Sequence, residues 1–207
     1  MAHADRRGRF ITVEGVDGAG KSTHLPWIAE RLRAAGHEAV LTREPGGTPL
    51  GEKLRALVLE QPMDPLAETL LMFAARADHV ARLIRPALAR GAWVLCDRFT
   101  DATVAYQGGG KGIPIELIER LAEATHPGLT PDRTLLFDCP YEVSRQRLAR
   151  TGRPLDRFEQ EERAFFERVR AAYAERARLD PARIRLIDGS RPLERIKTEL
   201  EINIVFD

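Results

Sequence analysis

The chain has 207 residues, 43% of them hydrophobic, and a net charge of +1 from 32 lysines and arginines against 31 aspartates and glutamates. That length fits one domain over residues 1–207 with a sizeable core. The near-neutral balance argues against a broad nucleic-acid footprint, because a surface built for phosphodiester backbone carries a marked basic excess.

No stretch is long and apolar enough to span a bilayer, and Met1 to Arg9 lacks the apolar run of a signal peptide. Cys96 and Cys139 sit in apolar runs and read as reduced, buried thiols. These features place the expected home in the cytoplasm, away from membranes.

In chain order, Phe10 to Glu14 is an apolar run with the look of a buried strand. It feeds Gly15-Val16-Asp17-Gly18-Ala19-Gly20-Lys21-Ser22, and a helical pattern with Thr23 in its first turn continues to Ala35. A glycine, four residues and then Gly-Lys-Ser between a strand and a helix is a phosphate-cradling loop, in which backbone N–H groups converge on an anion at a helix N-terminus. Lys21 reaches toward β/γ-phosphates and Ser22 offers its hydroxyl to Mg²⁺.

Ala39 to Thr42 is a short strand, Arg43 to Thr48 a loop, and Pro49 to Leu59 a helix. Pro65 to Arg90 reads as one long helix with an apolar stripe, ended by Gly91. Trp93 to Asp97 is a strand closing on an acid, and Phe99 to Tyr106 leads into a flexible run, Gly108 to Gly110. Ile115–Thr125 and Tyr141–Arg150 are helical around a strand at Thr134–Asp138. Thr151 to Phe158 after them is densely basic and loses periodicity at Gly152 and Pro154. A helix from Glu159 to Leu179, a strand from Ile184 to Ile187 and a helix from Leu193 to Ile204 complete the chain.

Strand and helix alternate throughout, which predicts an α/β three-layer sandwich: a parallel sheet of about five strands flanked by helices. Ligands of such sheets bind at the carboxyl ends of the strands, where Gly15, Arg43 and Asp97 all fall.

A switch GTPase is excluded by the lack of an Asn-Lys-x-Asp guanine reader, since Asn203 is the only asparagine. Asp97-Arg98 at a strand end suits phosphoryl transfer, with the acid holding Mg²⁺ directly or through water and the arginine offering a two-pronged grip to a second phosphate. Asp17 inside the phosphate loop would be repelled by a donor triphosphate and is expected to face the acceptor.

These residues resemble the thymidylate (dTMP) kinases, P-loop nucleoside monophosphate kinases, in their bacterial form. The resemblance rests on GVDGAGKS, TREPGGTPLGEKLR (Thr42 to Arg55), LLMFAARADH (Leu70 to His79), DRFTDATVAYQGGG (Asp97 to Gly110) and RTGRPLDRFEQ (Arg150 to Gln160). It implies transfer of the γ-phosphoryl of ATP to dTMP, with Mg²⁺, in a homodimer. Another nucleoside monophosphate kinase on the same scaffold, or a non-catalytic nucleotide-binding regulator, are the alternatives.

The resemblance further implies that Asp17 accepts from the sugar 3′-hydroxyl and that Arg98 and Arg55 clamp the acceptor phosphate. Glu44 and Pro45 belong to a loop that closes over the nucleotide. An aromatic stacks on thymine beside Arg76, which bonds a base carbonyl. Here the aromatic is Phe73, whereas relatives carry it at the position of Met72, so either side chain is a candidate to cover the base. Thr103 and Gln107 meet the ring edge, and Tyr106 lies against C2′. Ala102 stands where relatives have a serine. Arg145 occupies an adenine-stacking position. The resemblance also implies a small lid over about residues 147–160, and with no arginine inside the phosphate loop its Arg150 and Arg153 are the candidates to reach the transferring phosphoryl.

Overall fold

The computed structural model describes residues 7–204, so the reading of Met1 to Arg9 falls mostly outside the described residues. Five strands form one sheet: β1 (Phe10–Gly15), β2 (Ala39–Arg43), β3 (Trp93–Asp97), β4 (Arg133–Asp138) and β5 (Ile184–Asp188). Every pairing is parallel and the order is β2-β3-β1-β4-β5, so all five carboxyl ends point the same way. The order reverses direction beside β1, which opens a crevice there for a ligand.

Strand side chains alternate between faces. Ile11, Val13, Leu95, Leu135 and Phe137 are fully buried toward α1 (Lys21–Ala34), whose His24 stacks on Phe137 at 5.4 Å. On the other face Phe10, Val94 and Cys96 join a second cluster with Ile84, Leu88 and Phe99. The middle of that face is polar: Thr12 and Thr134 share a 2.7 Å hydrogen bond, and Glu14 is fully buried beside them. Such groups persist in a core only when bonded, and Arg183 serves this set by donating to Thr134 and Asp101.

The helices that follow are α2 (Pro49–Glu60), α3 (Pro65–His79), α4 (Arg85–Ala89), α5 (Thr100–Thr103), α6 (Ile115–Thr125), α7 (Tyr141–Ala149), α8 (Arg163–Leu179) and α9 (Leu193–Ile204). Among the described residues no helix is long and apolar enough to cross a membrane.

Three expectations are corrected. The helix expected to run unbroken from Pro65 to Arg90 winds as a π-helix over Val80–Ile84, with the Arg85 N–H reaching Val80 O. Pro86 follows directly; it has no N–H and its ring would clash with a carbonyl one turn earlier, so a wider turn before it accommodates both defects. Gly108 to Gly110 is not a flexible run but the end of a second π-helix, Val104–Gly110. A Cβ on Gly109 would meet the Ala172 Cβ at 2.5 Å and one on Gly110 the Phe165 ring at 2.5 Å, so these glycines let α8 approach closely. The helix expected from Glu159 begins at Arg163, because Asp156 Oδ1 accepts from the N–H groups of Phe158 and Glu159 and holds a separate turn.

Candidate active site

The phosphate loop joins β1 to α1 in a conformation that only glycine takes easily. Gly15, Gly18 and Gly20 have φ of 126°, 76° and 105°, and a Cβ on Gly15 would lie 2.0 Å from Phe137 O. Gly20 is the N-cap of α1 and supplies no side-chain cap, nor is there an acid in the first turn. The leading N–H groups of the helix are therefore not screened by a carboxylate. α7 braces the loop, as Ser144 Oγ donates to Asp17 O at 2.7 Å and Arg147 Nη1 to Gly18 O at 3.1 Å.

Lys21 is buried and donates to Gly15 O (2.8 Å) and Val16 O (3.0 Å). Burial, with Arg98 adding to it, lowers its ammonium pKa, while Asp17, Asp97 and Glu14 oppose the shift. Ser22 and Thr23 are exposed at the loop's mouth. Asp97 ends β3 in register with Val13, and its Oδ1 is buried without a hydrogen-bond partner.

Beside the loop opens a cleft of about 640 Å³, counting its mouth. It is lined by Asp17, Glu44, Pro45, Arg55, Met72, Arg76, Arg98, Thr103, Tyr106 and Gln107, which is every acceptor-side residue named from the sequence except Phe73. Phe73 lies beneath, packed with Val104 and Ile118, its ring centre 4.7 Å from the Arg76 guanidinium carbon. Met72 faces the cleft instead. Leu59, Phe99, Ala102, Asp156 and Phe158 complete the lining. Asp156 and Phe158 are in the lid motif, where charge had drawn attention to the arginines.

Arg98 joins cleft and loop. Its Nη1 donates to Gly15 O (2.9 Å) and Tyr173 Oη (3.2 Å), and its Nη2 to Asp17 Oδ1 (2.6 Å) and Tyr106 Oη (3.1 Å). Tyr106 in turn donates to Asp17 Oδ2 at 3.0 Å. Burial alone would push Asp17 up, yet the charges of Arg98 and Lys21 hold its carboxyl below the usual range. Arg55 shows the opposite imbalance: burial first, then Arg43 and Arg98, lower its pKa. Two cations crowded at one end of a cleft are what an entering phosphate would neutralise.

Arg76 is set by a buried relay. Glu44 accepts from Arg76 Nε at 2.7 Å and pairs with His79 Nδ1 at 2.9 Å, while His79 Nε2 meets Thr42 Oγ1 at 2.7 Å. Arg76 Nη2 donates to Thr103 Oγ1 (2.9 Å) and Phe99 O (3.2 Å). Its Nη1 is buried with no partner, a donor left over in a lining residue. The carboxylate of Glu44 is therefore occupied in orienting Arg76.

The lid arginines are divided. Arg153 pairs with Glu159 at 2.5 Å, and Arg157 donates to Val58 O and Glu68. Arg145 donates to Glu159 O at 2.6 Å, with its guanidinium carbon 6.0 Å from the Tyr141 ring centre. Arg150 is exposed. Of these basic residues, Arg147 is the one bonded to the phosphate loop, although Arg150 and Arg153 were the sequence-based candidates.

The sequence reading also passed over Glu14, which accepts from Phe99 N (2.7 Å) and Tyr173 Oη (2.8 Å) under the site. Burial, with Asp101 adding to it, pushes its pKa up to about 8 despite the opposing charge of Arg98. A folded-state pKa above the unfolded value stabilises fully below the unfolded value, near 4.5, and that stabilisation fades as pH rises through about 8. The melting temperature is thus expected to fall between pH 5 and 9 by an amount that Glu14→Gln removes; parallel profiles for both proteins would disprove the assignment.

A family model described as thymidylate kinase matches residues 13–200. The chain is 61% identical over 198 residues to thymidylate kinase of Bordetella pertussis (strain Tohama I), covering 96% of this chain and 95% of that relative. It is 58% identical over 194 residues to thymidylate kinase of Methylobacillus flagellatus, covering 94% and 95%. The crystal structure of thymidylate kinase from Ehrlichia chaffeensis superposes with a TM-score of 0.78 at 32% identity, over 97% of this chain and 100% of that one. By sequence and by fold, the chain belongs to the thymidylate kinase family.

Proposed function

We propose that this protein transfers the γ-phosphoryl of ATP to the 5′-phosphate of dTMP, giving ADP and dTDP. The observation that carries the reading is the juxtaposition made by Arg98, which bonds the phosphate loop at Gly15 and Asp17 and also the cleft residue Tyr106. Loop and cleft therefore adjoin, as donor and acceptor must for direct transfer.

In this reading the loop from Gly15 to Thr23 seats the ATP phosphates, with Lys21 leaving Gly15 O and Val16 O for the β/γ-oxygens. Arg98 and Arg55 grip the acceptor phosphate, Asp17 takes the sugar 3′-hydroxyl, and the Tyr106 ring closes the space at C2′. Arg76 Nη1, Thr103 and Gln107 meet the thymine edge, Met72 covers the base, and Pro45 shapes the wall beside Arg55, which donates to its carbonyl at 3.1 Å. Arg147, already against the loop, is placed to add positive charge near the transferring group, and Arg145 lies toward the adenine.

The donor set fits Mg²⁺. Among the described residues no cluster of three or more His, Cys, Asp or Glu side chains forms a closed metal site. An exposed Ser22 hydroxyl and the unpartnered Asp97 oxygen instead suit an ion that keeps water and phosphate oxygens as ligands. When bound, Mg²⁺ neutralises charge on the phosphate oxygens.

Residues 1–207 act as one catalytic domain with a lid near 147–160. Exposed Leu50 and Leu57 on α2 and Leu66 and Leu70 on the adjacent α3 support a homodimer across these helices. Light scattering at 23.2 kDa rather than twice that mass would exclude it. Two free, buried thiols, Cys96 and Cys139, support a cytoplasmic enzyme. The deciding assay is ADP release with ATP, Mg²⁺ and each of dTMP, dUMP, dCMP, dGMP and UMP. The highest kcat/KM is expected for dTMP, and a purine nucleotide as best acceptor would defeat the pocket assignment.

A further inference from the structure

Glu68 of α3 is fully buried, and the chemistry above makes no use of it. Its oxygens are divided: Oε1 accepts from Gln107 Nε2 at 2.8 Å, while Oε2 accepts from Lys111 Nζ at 2.7 Å and from Arg157. The two cations are themselves fixed, both lying over the Phe158 ring, and Arg157 also donates twice to Val58 O. Side chains from the π-helix, the loop after it and the lid thus hold one carboxylate in place.

A carboxylate oxygen accepts and does not donate, so the nitrogen of the Gln107 amide must be the end that faces Glu68. Its carbonyl oxygen must then face away from Glu68. Gln107 lines the acceptor cleft, and so does Arg76, whose Nη1 is the buried donor without a partner. The cleft therefore offers one fixed donor and one fixed acceptor. A pyrimidine with a 4-keto group presents the complement, a carbonyl oxygen next to a ring N–H. A 4-amino pyrimidine presents the reverse, an amino group next to a bare ring nitrogen, so donor would meet donor and acceptor would meet acceptor.

We propose that Glu68 is a positioning residue for acceptor choice: by holding the Gln107 amide in one of its two orientations, it makes the cleft select 4-keto over 4-amino pyrimidine monophosphates. The two orientations of a glutamine amide have nearly the same shape, so without a fixed acceptor beside it the group turns over at little steric cost and reads either base. This inference rests on the assignment of the cleft as the acceptor pocket.

The test is Glu68→Gln, whose amide can accept from Gln107 or donate to it and so releases the constraint. The ratio of kcat/KM for dTMP to that for dCMP is expected to narrow about tenfold, the worth of one hydrogen bond, through KM more than kcat. An equal loss for both nucleotides leaves the ratio unchanged and overturns the proposal. The wild-type ratio is read in the same assay, and an enzyme using both nucleotides equally would sink the pocket assignment itself. A variant that does not fold is replaced by the wild-type enzyme labelled with ¹⁵N in its glutamine side chains. There the Gln107 amide should show one slowly exchanging proton both before and after dTMP is added, and an amide that turns over on binding overturns the inference.

Discussion

Lys21→Met is expected to lower kcat by about 10³-fold while KM for dTMP stays within a few-fold. The ammonium already sits dry against Gly15 O and Val16 O, so meeting the β/γ-oxygens of ATP requires a change of partner rather than removal of a water shell. A cation fixed in a water-poor site stabilises developing charge far more than one that must first be desolvated. Methionine keeps the apolar stem and removes the charge, so Gly15 O and Val16 O each lose the ammonium while keeping Arg98 Nη1 and the Ala19 N–H respectively. That loss costs on the order of 1–3 kcal/mol and a lowered melting temperature, separable from the kinetic effect by assaying well below the melt. The check is steady-state ADP release at saturating ATP and dTMP beside a thermal melt. A folded Lys21→Met enzyme turning over at near wild-type rate would remove Lys21 from the chemistry.

The layout was legible in the sequence where the signal is local. Apolar runs such as Phe10 to Glu14 and Trp93 to Asp97 end on glycine or an acid, and their alternation with helical patterns is enough to specify a parallel sheet with its site at one end. What could not be read depends on which distant element comes to rest where. Gly109 and Gly110 look like part of a flexible run until Ala172 and Phe165 of α8 are seen against them.

A spacing of three residues puts Phe73 and Arg76 on one face of α3 without saying which meets the cleft. The outcome is that the Arg76 guanidinium lies over the Phe73 ring. Nor does a basic stretch reveal its partners: Arg153 is taken by Glu159 and Arg157 by Glu68, which leaves Arg147 at the phosphate loop. Buried acids such as Glu14 and Glu68 were passed over because a carboxylate inside an apolar pattern has no meaning until its donors are known.

Arg98→Ala and Arg98→Lys are both expected to raise KM for dTMP by about 10²-fold and to lower kcat as well, with lysine giving little rescue. Two nitrogens of the guanidinium serve four acceptors: Gly15 O and Tyr173 through Nη1, Asp17 and Tyr106 through Nη2. An ammonium is a single point with three donors and cannot reproduce the planar spread that spans loop and cleft. The backbone does not explain the difference, because Arg98 has φ of 70° and alanine or lysine would carry the same left-handed strain. The two variants separate charge from geometry. In Arg98→Ala the half-buried Asp17 loses the strongest influence holding its carboxyl low, so the acid limb of kcat/KM should move to higher pH. In Arg98→Lys the positive charge remains, so that limb should move less while KM stays high. If lysine restores KM to within a few-fold of wild type, charge alone holds the acceptor phosphate and the two-pronged grip plays no part.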